Sequence, residues 1–267
     1  MNELDCLYQA ISDIEEAYSN SSVIGQSEVG LGNILAYLNP VGLVVLTGGR
    51  EKQNMMLASH IVHQRVFRLG VGCAVFCEDT KAFVTGQLSL VSEVGIKKLY
   101  AGEIGSEDWG CIVHAVDILE HSSLFLVELP SSLDLLMEAI RRYSEKCESE
   151  DRNSDYAVFV FDLPRPVEEQ SSFAKMLHAL KALSAEIDRP IIVIHDQCGQ
   201  ETLGELKTIC SCADVFLTLE AMTDEQANYC NLSISIKEQP SSCSMRLQFG
   251  SDRFTVMLIE NAKSDEH

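Results

Sequence analysis

The chain has 267 residues, of which 46% are hydrophobic, enough for a sizeable core in one large α/β domain or two small ones. Its formal charge of -20, from 20 Lys and Arg against 40 Asp and Glu, disfavours an unassisted grip on nucleic-acid phosphates and favours basic protein partners. The sequence begins with an acidic, amphipathic segment instead of a charged-then-apolar leader, and no apolar run approaches membrane-spanning length. These features predict a cytoplasmic protein without membrane contact.

The first predicted element is an amphipathic helix over residues 1–18. Its apolar side chains recur at helical spacing and form one stripe. The stripe consists of Leu4, Leu7, Tyr8, Ile11 and Ile14. Residues 19–27 are mostly polar and are predicted to be a linker, residues 28–262 to form the main domain, and residues 263–267 to be a short tail. The stripe either packs on its own domain or lies on a neighbouring molecule.

A short apolar run from Leu43 to Thr47 leads into a glycine-bearing loop, and an amphipathic helix follows from about Met55. The loop residues are Gly48, Gly49, Arg50, Glu51, Lys52, Gln53 and Asn54. A phosphate-binding loop has this setting, but it ends in a lysine for the outer phosphates and a hydroxyl for magnesium. Asn54 carries no charge, Met55 cannot ligate a hard cation, and Glu51 adds repulsion. The loop is interpreted as a degenerate phosphate site or as an ordinary strand-to-helix turn.

Further along the chain, apolar runs alternate with helical stripes. The runs predicted to be buried strands are Cys73–Cys77, Leu124–Val127, Ala157–Phe161, Ile191–Ile194 and Val215–Leu219. One helical stripe, predicted to face the core, contains Trp109, Ile112, Val113, Val116 and Leu119, with Ser106 as its N-cap. A second helix carries Phe173, Met176, Leu177, Leu180, Leu183 and Ile187 on one face.

The last three segments alternate apolar and polar residues, which is typical of antiparallel strands. They are Leu232–Ile236, Met245–Phe249 and Phe254–Ile259. The earlier runs are continuously apolar and separated by helices, which indicates a parallel sheet covered on both faces. The predicted fold is therefore α/β, with a central, mostly parallel sheet, flanking helices and antiparallel C-terminal strands.

The sequence contains ten cysteines, several of them in or beside apolar runs. Those in such positions are Cys73, Cys77, Cys198, Cys210 and Cys212. They are predicted to be reduced, mostly buried thiols. A zinc site is the alternative, but these cysteines lack a second pair at zinc-ribbon spacing, and His60 and His63 lack a third ligand nearby. No metal site is predicted.

Three segments, in an order and spacing that hold over most of the chain, resemble the replicative helicases of the DnaB family. They are Gly102 to Trp109, Leu180 to Ile194, and Ala213 to Val215. From the first helix to about Leu258, the chain resembles the linker helix and the RecA-like C-terminal domain of that family. The resemblance implies a RecA-like P-loop NTPase fold. It also implies that the segment 1–18 leaves its own domain and packs on the next subunit.

The resemblance also assigns the family's functional positions, one at a time. The loop lysine corresponds to Asn54 and the magnesium hydroxyl to Met55. The catalytic glutamate corresponds to Asp79, with the adjacent Glu78 as the alternative. The Walker B aspartate corresponds to Asp162, and the polar sensor to His195 and Asp196. The arginine finger is expected near 237–239, where no arginine is present. Asp79 and Asp162 follow buried strands, where ligands often bind, but they are interpreted as relics that hydrogen-bond locally. His195 is interpreted as a structural histidine, and a replacement of the missing lysine by Lys52 is the minor alternative.

The loops that contact DNA in the family are short here. The first, Leu163 to Ser171, contains Glu168 and Glu169 in place of basic residues, and the second, Gln197 to Gly204, leads almost directly to the next helix. Both changes remove the cations that would hold the phosphates of a single strand, so direct DNA binding is not expected.

Two classes of function compete. The first is a catalytically inactive DnaB-like protein without a cofactor, acting as an interaction or regulatory module in DNA replication. Its partner would be a replicative helicase subunit, a helicase loader or a second copy of itself. The second is an ATP- and magnesium-dependent single-strand translocase with an aberrant loop. Nucleotide binding without hydrolysis would need a replacement for Asn54. The first class is favoured because the departures lie at separate places in the chain.

Overall fold

A computed structural model of the chain describes Leu38 and residues 41–49, 53–149, 156–161, 163, 170–195, 211–221, 229–237, 243–250 and 256–262. The predicted helix over 1–18, the linker over 19–27 and the tail over 263–267 lie outside the described residues. The division of the chain into these segments therefore stays a prediction.

One nine-stranded sheet runs through the described part of the chain. Its strands are β1 (Leu43–Gly48), β2 (Gly72–Cys77), β3 (Leu124–Glu128), β4 (Tyr156–Phe161), β5 (Ile191–His195), β6 (Val215–Ala221), β7 (Tyr229–Ile236), β8 (Cys243–Phe249) and β9 (Val256–Ala262). The order is β3-β2-β4-β5-β1-β6-β7-β8-β9, parallel from β3 to β6 and antiparallel from β6 to β9. The predicted mixed sheet is confirmed, including β4 and β5 as inner strands.

Helices follow most of the parallel strands. They are α1 (Gln53–His63), continued by a π-helical turn (Gln64–Arg68), then α2 (Thr80–Ser92), α3 (Ile96–Ala101), α4 (Ser106–Glu120), α5 (Leu133–Ser149) and α6 (Gln170–Ile187). The residue before α4 is Gly105, whose amide donates a 3.0 Å hydrogen bond to Asp108, so the N-cap lies one position before the predicted Ser106. None of the described helices is long and apolar enough to cross a membrane.

The sheet separates two hydrophobic cores, and alternate side chains of one strand enter different cores. On β1, Leu43 and Val45 pack with residues of α5 and α6, whereas Val44 and Leu46 pack on the opposite face with residues of α1. Because successive side chains of a strand point to opposite faces, a strand covered on both sides must be apolar throughout. This requirement explains the uninterrupted apolar runs that the sequence contains.

The prediction that the α4 stripe faces the core is wrong for most of its members. Ile112 is buried, but Trp109 is 56%, Val113 63% and Val116 48% exposed. The helix buries a narrow face, Ile112 and Ala115, and leaves Leu119 half-buried and the other three stripe residues exposed. Periodicity identified the helix, but periodicity alone cannot distinguish an apolar stripe that packs within the domain from one that does not.

Candidate functional site at the end of β1

β1 ends and the following loop begins with two glycines in left-handed backbone conformations, Gly48 at φ 84° and Gly49 at φ 76°. A Cβ atom on Gly48 would lie 2.3 Å from the carbonyl oxygen of Leu219 on β6, which leaves no room for a side chain. The Gly49 amide donates a 2.6 Å hydrogen bond to the same oxygen. Glycine is required here because only glycine accepts both the positive φ and the close approach of β6.

The first turn of α1 contacts the end of β1 through a side-chain hydrogen bond. Asn54, which the resemblance aligns with the phosphate-binding lysine, is completely buried, and its side-chain amide donates hydrogen bonds to the carbonyl oxygens of Gly48 at 2.6 Å and His195 at 3.4 Å. The neighbouring Gln53 accepts a 3.0 Å hydrogen bond from the Cys230 thiol. Both side chains therefore connect α1 to surrounding strands. The sequence could not predict these contacts, because an amide side chain does not indicate which distant residue will be its hydrogen-bond partner.

The other positions assigned by the resemblance differ in burial and in their contacts. Met55 is partly buried and packs against the apolar core that contains α1. Asp79 is exposed and caps α2, since its carboxylate accepts a 2.8 Å hydrogen bond from the Ala82 amide. Such a cap satisfies an otherwise unbonded helix amide, which gives Asp79 a structural role. The loop residues Arg50, Glu51 and Lys52, and the carboxylates Asp162 and Asp196, lie outside the described residues.

The carboxyl ends of three neighbouring parallel strands meet at this edge of the sheet. β1 lies beside β5, with Thr47 opposite His195, and β5 lies beside β4. Ligands of open α/β sheets usually bind at such an edge. The His195 ring is only 4% exposed and lies 4.9 Å from the Phe173 ring, centroid to centroid, which agrees with a structural histidine. At this edge the described side chains of Asn54 and His195 make internal contacts.

A polar cluster at the end of α1 is also buried. Burial, with the nearby His60 and Arg68, lowers the pKa of His63 to about 3, so its ring stays neutral at physiological pH. Burial raises the pKa of the Cys73 thiol to about 12, while Arg65 opposes this shift. A thiol with such a pKa stays protonated and is a poor nucleophile.

The structure describes some of the cysteines and possible metal ligands that the sequence contains. Cys73, Cys77 and Cys212 are buried free thiols, as predicted, whereas Cys198 and Cys210 lie outside the described residues. In the part of the chain that is described, no three His, Cys, Asp or Glu side chains cluster as a metal site would require. The prediction of a metal-free protein itself stays open.

Helix α4 carries an exposed apolar surface that the sequence pattern did not indicate. Trp109, Val113 and Val116 are spaced four and three residues apart, so they share one exposed helical face. The start of this helix is held by Asp108, whose pKa is lowered by the hydrogen bond from the Gly105 amide and then by Lys98. The Lys98 amine lies 3.2 Å from Asp108 and connects α3 to α4. Three exposed apolar side chains on one helical face make α4 a candidate interaction surface.

The sheet order, the loop geometry and the antiparallel strands together define a RecA-like α/β fold. Solved structures agree. The chain is similar to the ATPase domain of G40P, with a TM-score of 0.73, 13% identity, and coverage of 95% of this chain and 99% of that one. It is also similar to a DnaB-like replicative helicase described with its interactions with primase, with a TM-score of 0.70, 12% identity, and coverage of 96% and 75%.

These comparisons confirm the resemblance at the level of fold. No protein-family model and no curated protein matches the sequence. At such low identity, structural similarity establishes the fold of the DnaB-like ATPase domains and leaves activity undetermined.

Proposed function

We propose that this chain is a DnaB-like protein that has lost ATPase activity and acts as an interaction or regulatory module in DNA replication. Its partner is a replicative helicase subunit, a helicase loader or a second copy of itself. Catalysis in P-loop proteins depends on a lysine and a magnesium ligand placed at the phosphates. In this chain those positions hold Asn54 and Met55.

The observation that carries the proposal is the internal role of Asn54. Its amide is used on the carbonyl oxygens of Gly48 and His195, and none of its surface is exposed. An uncharged, buried amide cannot replace a lysine that reaches out to phosphate. The glycine geometry of the loop thus has a sufficient structural reason without nucleotide, because it lets β6 and the loop approach closely.

The face formed by Trp109, Val113 and Val116 supports association. It is exposed in a single copy of the chain, and covering it with a partner would lower the free energy because apolar surface is removed from water. The segment 1–18 offers an apolar stripe of matching character, and the following polar residues 19–27 supply reach. We infer that this segment docks on the α4 face of another subunit. That subunit is a copy of this chain or an authentic helicase.

The test compares the full chain with a chain lacking residues 1–18 and with the Val113→Arg variant. Molar mass is measured by size-exclusion chromatography with light scattering, and capture is measured with a purified DnaB-family helicase, its loader and a primase as separate baits. Both changes should abolish the same association. Val41→Arg, an identical change at a valine that is 45% exposed outside α4, is the matched control and should associate normally. Unchanged profiles for both test variants would refute the association proposal.

The alternative is an ATP- and magnesium-dependent single-strand translocase. It is favoured by one observation, the retention of positive φ at Gly48 and Gly49 where a phosphate loop would need it. ATP turnover that requires Asp162 would establish this alternative and overturn the inactive-protein proposal. The association result and the turnover result are independent of each other.

A further inference from the structure

The edge strand β3 presents backbone groups away from the sheet. Among the described strands it pairs only with β2. The Leu129 amide donates a 3.0 Å hydrogen bond to the Cys77 carbonyl at the end of β2, so the odd-numbered residues of β3 bond toward β2. Because backbone groups alternate sides along a strand, those of Leu126 and Glu128 face outward. They form the donor and acceptor pattern that one additional strand would use.

A cavity of about 450 Å³ lies beside this edge, between β3 and α5. Phe125 and Val127 of β3 and Tyr143 of α5 line it, and Leu135 and Ala139 form its wall. Leu135 is 51% exposed, although it is a large apolar residue. A volume between roughly 300 and 1,000 Å³ is typical of sites that bind ligands, so the cavity is large enough to receive an apolar side chain.

The rim of the cavity is more cationic than the rest of this acidic protein. Its charged residues are Arg142, Lys146 and Glu138. Arg142 is 74% exposed at its side chain and pairs with Glu138, while the Lys146 amine lies 5.9 Å from the centroid of the Phe125 ring. At physiological salt, charges more than about 8 Å away are largely screened, so the net charge of -20 affects a bound segment less than the charged residues at the rim do.

We propose that β3 accepts an extended segment of a partner protein as a further strand. The segment places a large apolar side chain in the cavity and a carboxylate beside Arg142 and Lys146. Backbone hydrogen bonds to Leu126 and Glu128 supply affinity, and the cavity supplies selectivity, as in other cases of strand addition. The β3 strand of a second copy does not fit this role, because its Phe125 and Val127 side chains face its own α5. This site is separate from the α4 face.

The probe is a synthetic peptide of about six residues, the length of an ordinary strand, with isoleucine and phenylalanine alternating with threonine and a glutamate at each end. Its control has proline at the centre, which removes a backbone donor. Binding to the full chain is measured by fluorescence anisotropy and by amide hydrogen exchange. The first peptide should bind and should protect the amides of Leu126 and Glu128 more than those of Phe125 and Val127.

Two protein variants test the location. Ala139→Glu places a carboxylate in the cavity, and Leu135→Glu places one at its exposed wall, where it repels the carboxylates of the peptide. Each should weaken binding at least about tenfold, whereas Ala101→Glu, the same kind of change at an exposed alanine of α3, should not. Equal binding by the proline peptide, or binding unaffected by both cavity variants, would overturn the proposal. Protection of Leu126 and Glu128 without peptide would also overturn it. Protection that rises with protein concentration would identify a second copy as the occupant, and protection independent of concentration would identify a segment of the same chain.

Discussion

The side-chain amide of Asn54 donates a 2.6 Å hydrogen bond to the carbonyl oxygen of Gly48. This contact joins the first turn of α1 to the end of β1, across the loop that would surround a phosphate in an active P-loop protein. A lysine at this position would carry its charge beyond the loop, whereas the asparagine closes the loop on itself.

The first prediction concerns ATP. The purified chain with magnesium should hydrolyse ATP no faster than its Asp162→Asn variant, because Asn54 and Met55 stand at the positions that the resemblance assigns to the phosphate-binding lysine and the magnesium hydroxyl. Phosphate release and the fluorescence of a labelled ATP analogue measure turnover and binding. Turnover well above background that disappears in Asp162→Asn would contradict this expectation.

The second prediction concerns single-stranded DNA. At physiological salt, a labelled oligonucleotide should show no measurable anisotropy change, because the net charge is -20 and the matching loops are short. A titration repeated at lower salt separates weak electrostatic contact from a built site. Submicromolar binding in the physiological buffer would show that cationic groups are concentrated in a way the sequence did not indicate.

The third prediction uses two glycines with similar backbone angles and different surroundings. Gly48 (φ 84°) would place a Cβ 2.3 Å from the Leu219 oxygen, whereas Gly70 (φ 67°) has nothing within 4 Å of that position. Gly70→Ala should cost about 1–2 kcal/mol of unfolding free energy, the ordinary penalty of a left-handed residue. Gly48→Ala should lose at least about 2 kcal/mol more, because the clash adds to the strain. Urea unfolding of both variants measures the difference, and equal losses would mean that β6 moves aside easily.

The fourth prediction concerns pH. The pKa of His63 is about 3 in the folded chain and 6.5 as the unperturbed value, so only the unfolded chain takes up this proton between those limits. Stability is therefore unaffected by this group above the unfolded pKa and falls as pH drops below it. From pH 8 to pH 5, this group should cost about 2 kcal/mol.

The matched variants for the pH experiment are His63→Gln and His114→Gln. The first should flatten the loss of stability between about pH 8 and pH 5, and the second, at an exposed histidine, should leave it unchanged. Urea unfolding across this range is the measurement. Parallel pH curves for wild type and His63→Gln would show that the ring is protonated in the folded state.

The strands and their mode of pairing followed from the sequence because burial on two faces demands continuous apolar runs, as in Ala157–Phe161, and burial on one face demands alternation, as in Leu232–Ile236. The absence of a lysine at Asn54 and of a hydroxyl at Met55 is likewise a fact of the sequence alone. These local patterns are sufficient to predict the fold class and the absence of catalysis.

Only the tertiary structure decided where polar and apolar side chains find partners. It left Trp109 and Val113 at the surface and joined Asn54 to His195. Each outcome depends on contacts between segments distant in sequence or on which face of a helix meets the sheet. Periodicity specifies that a face exists, but packing of the whole domain determines whether that face is covered.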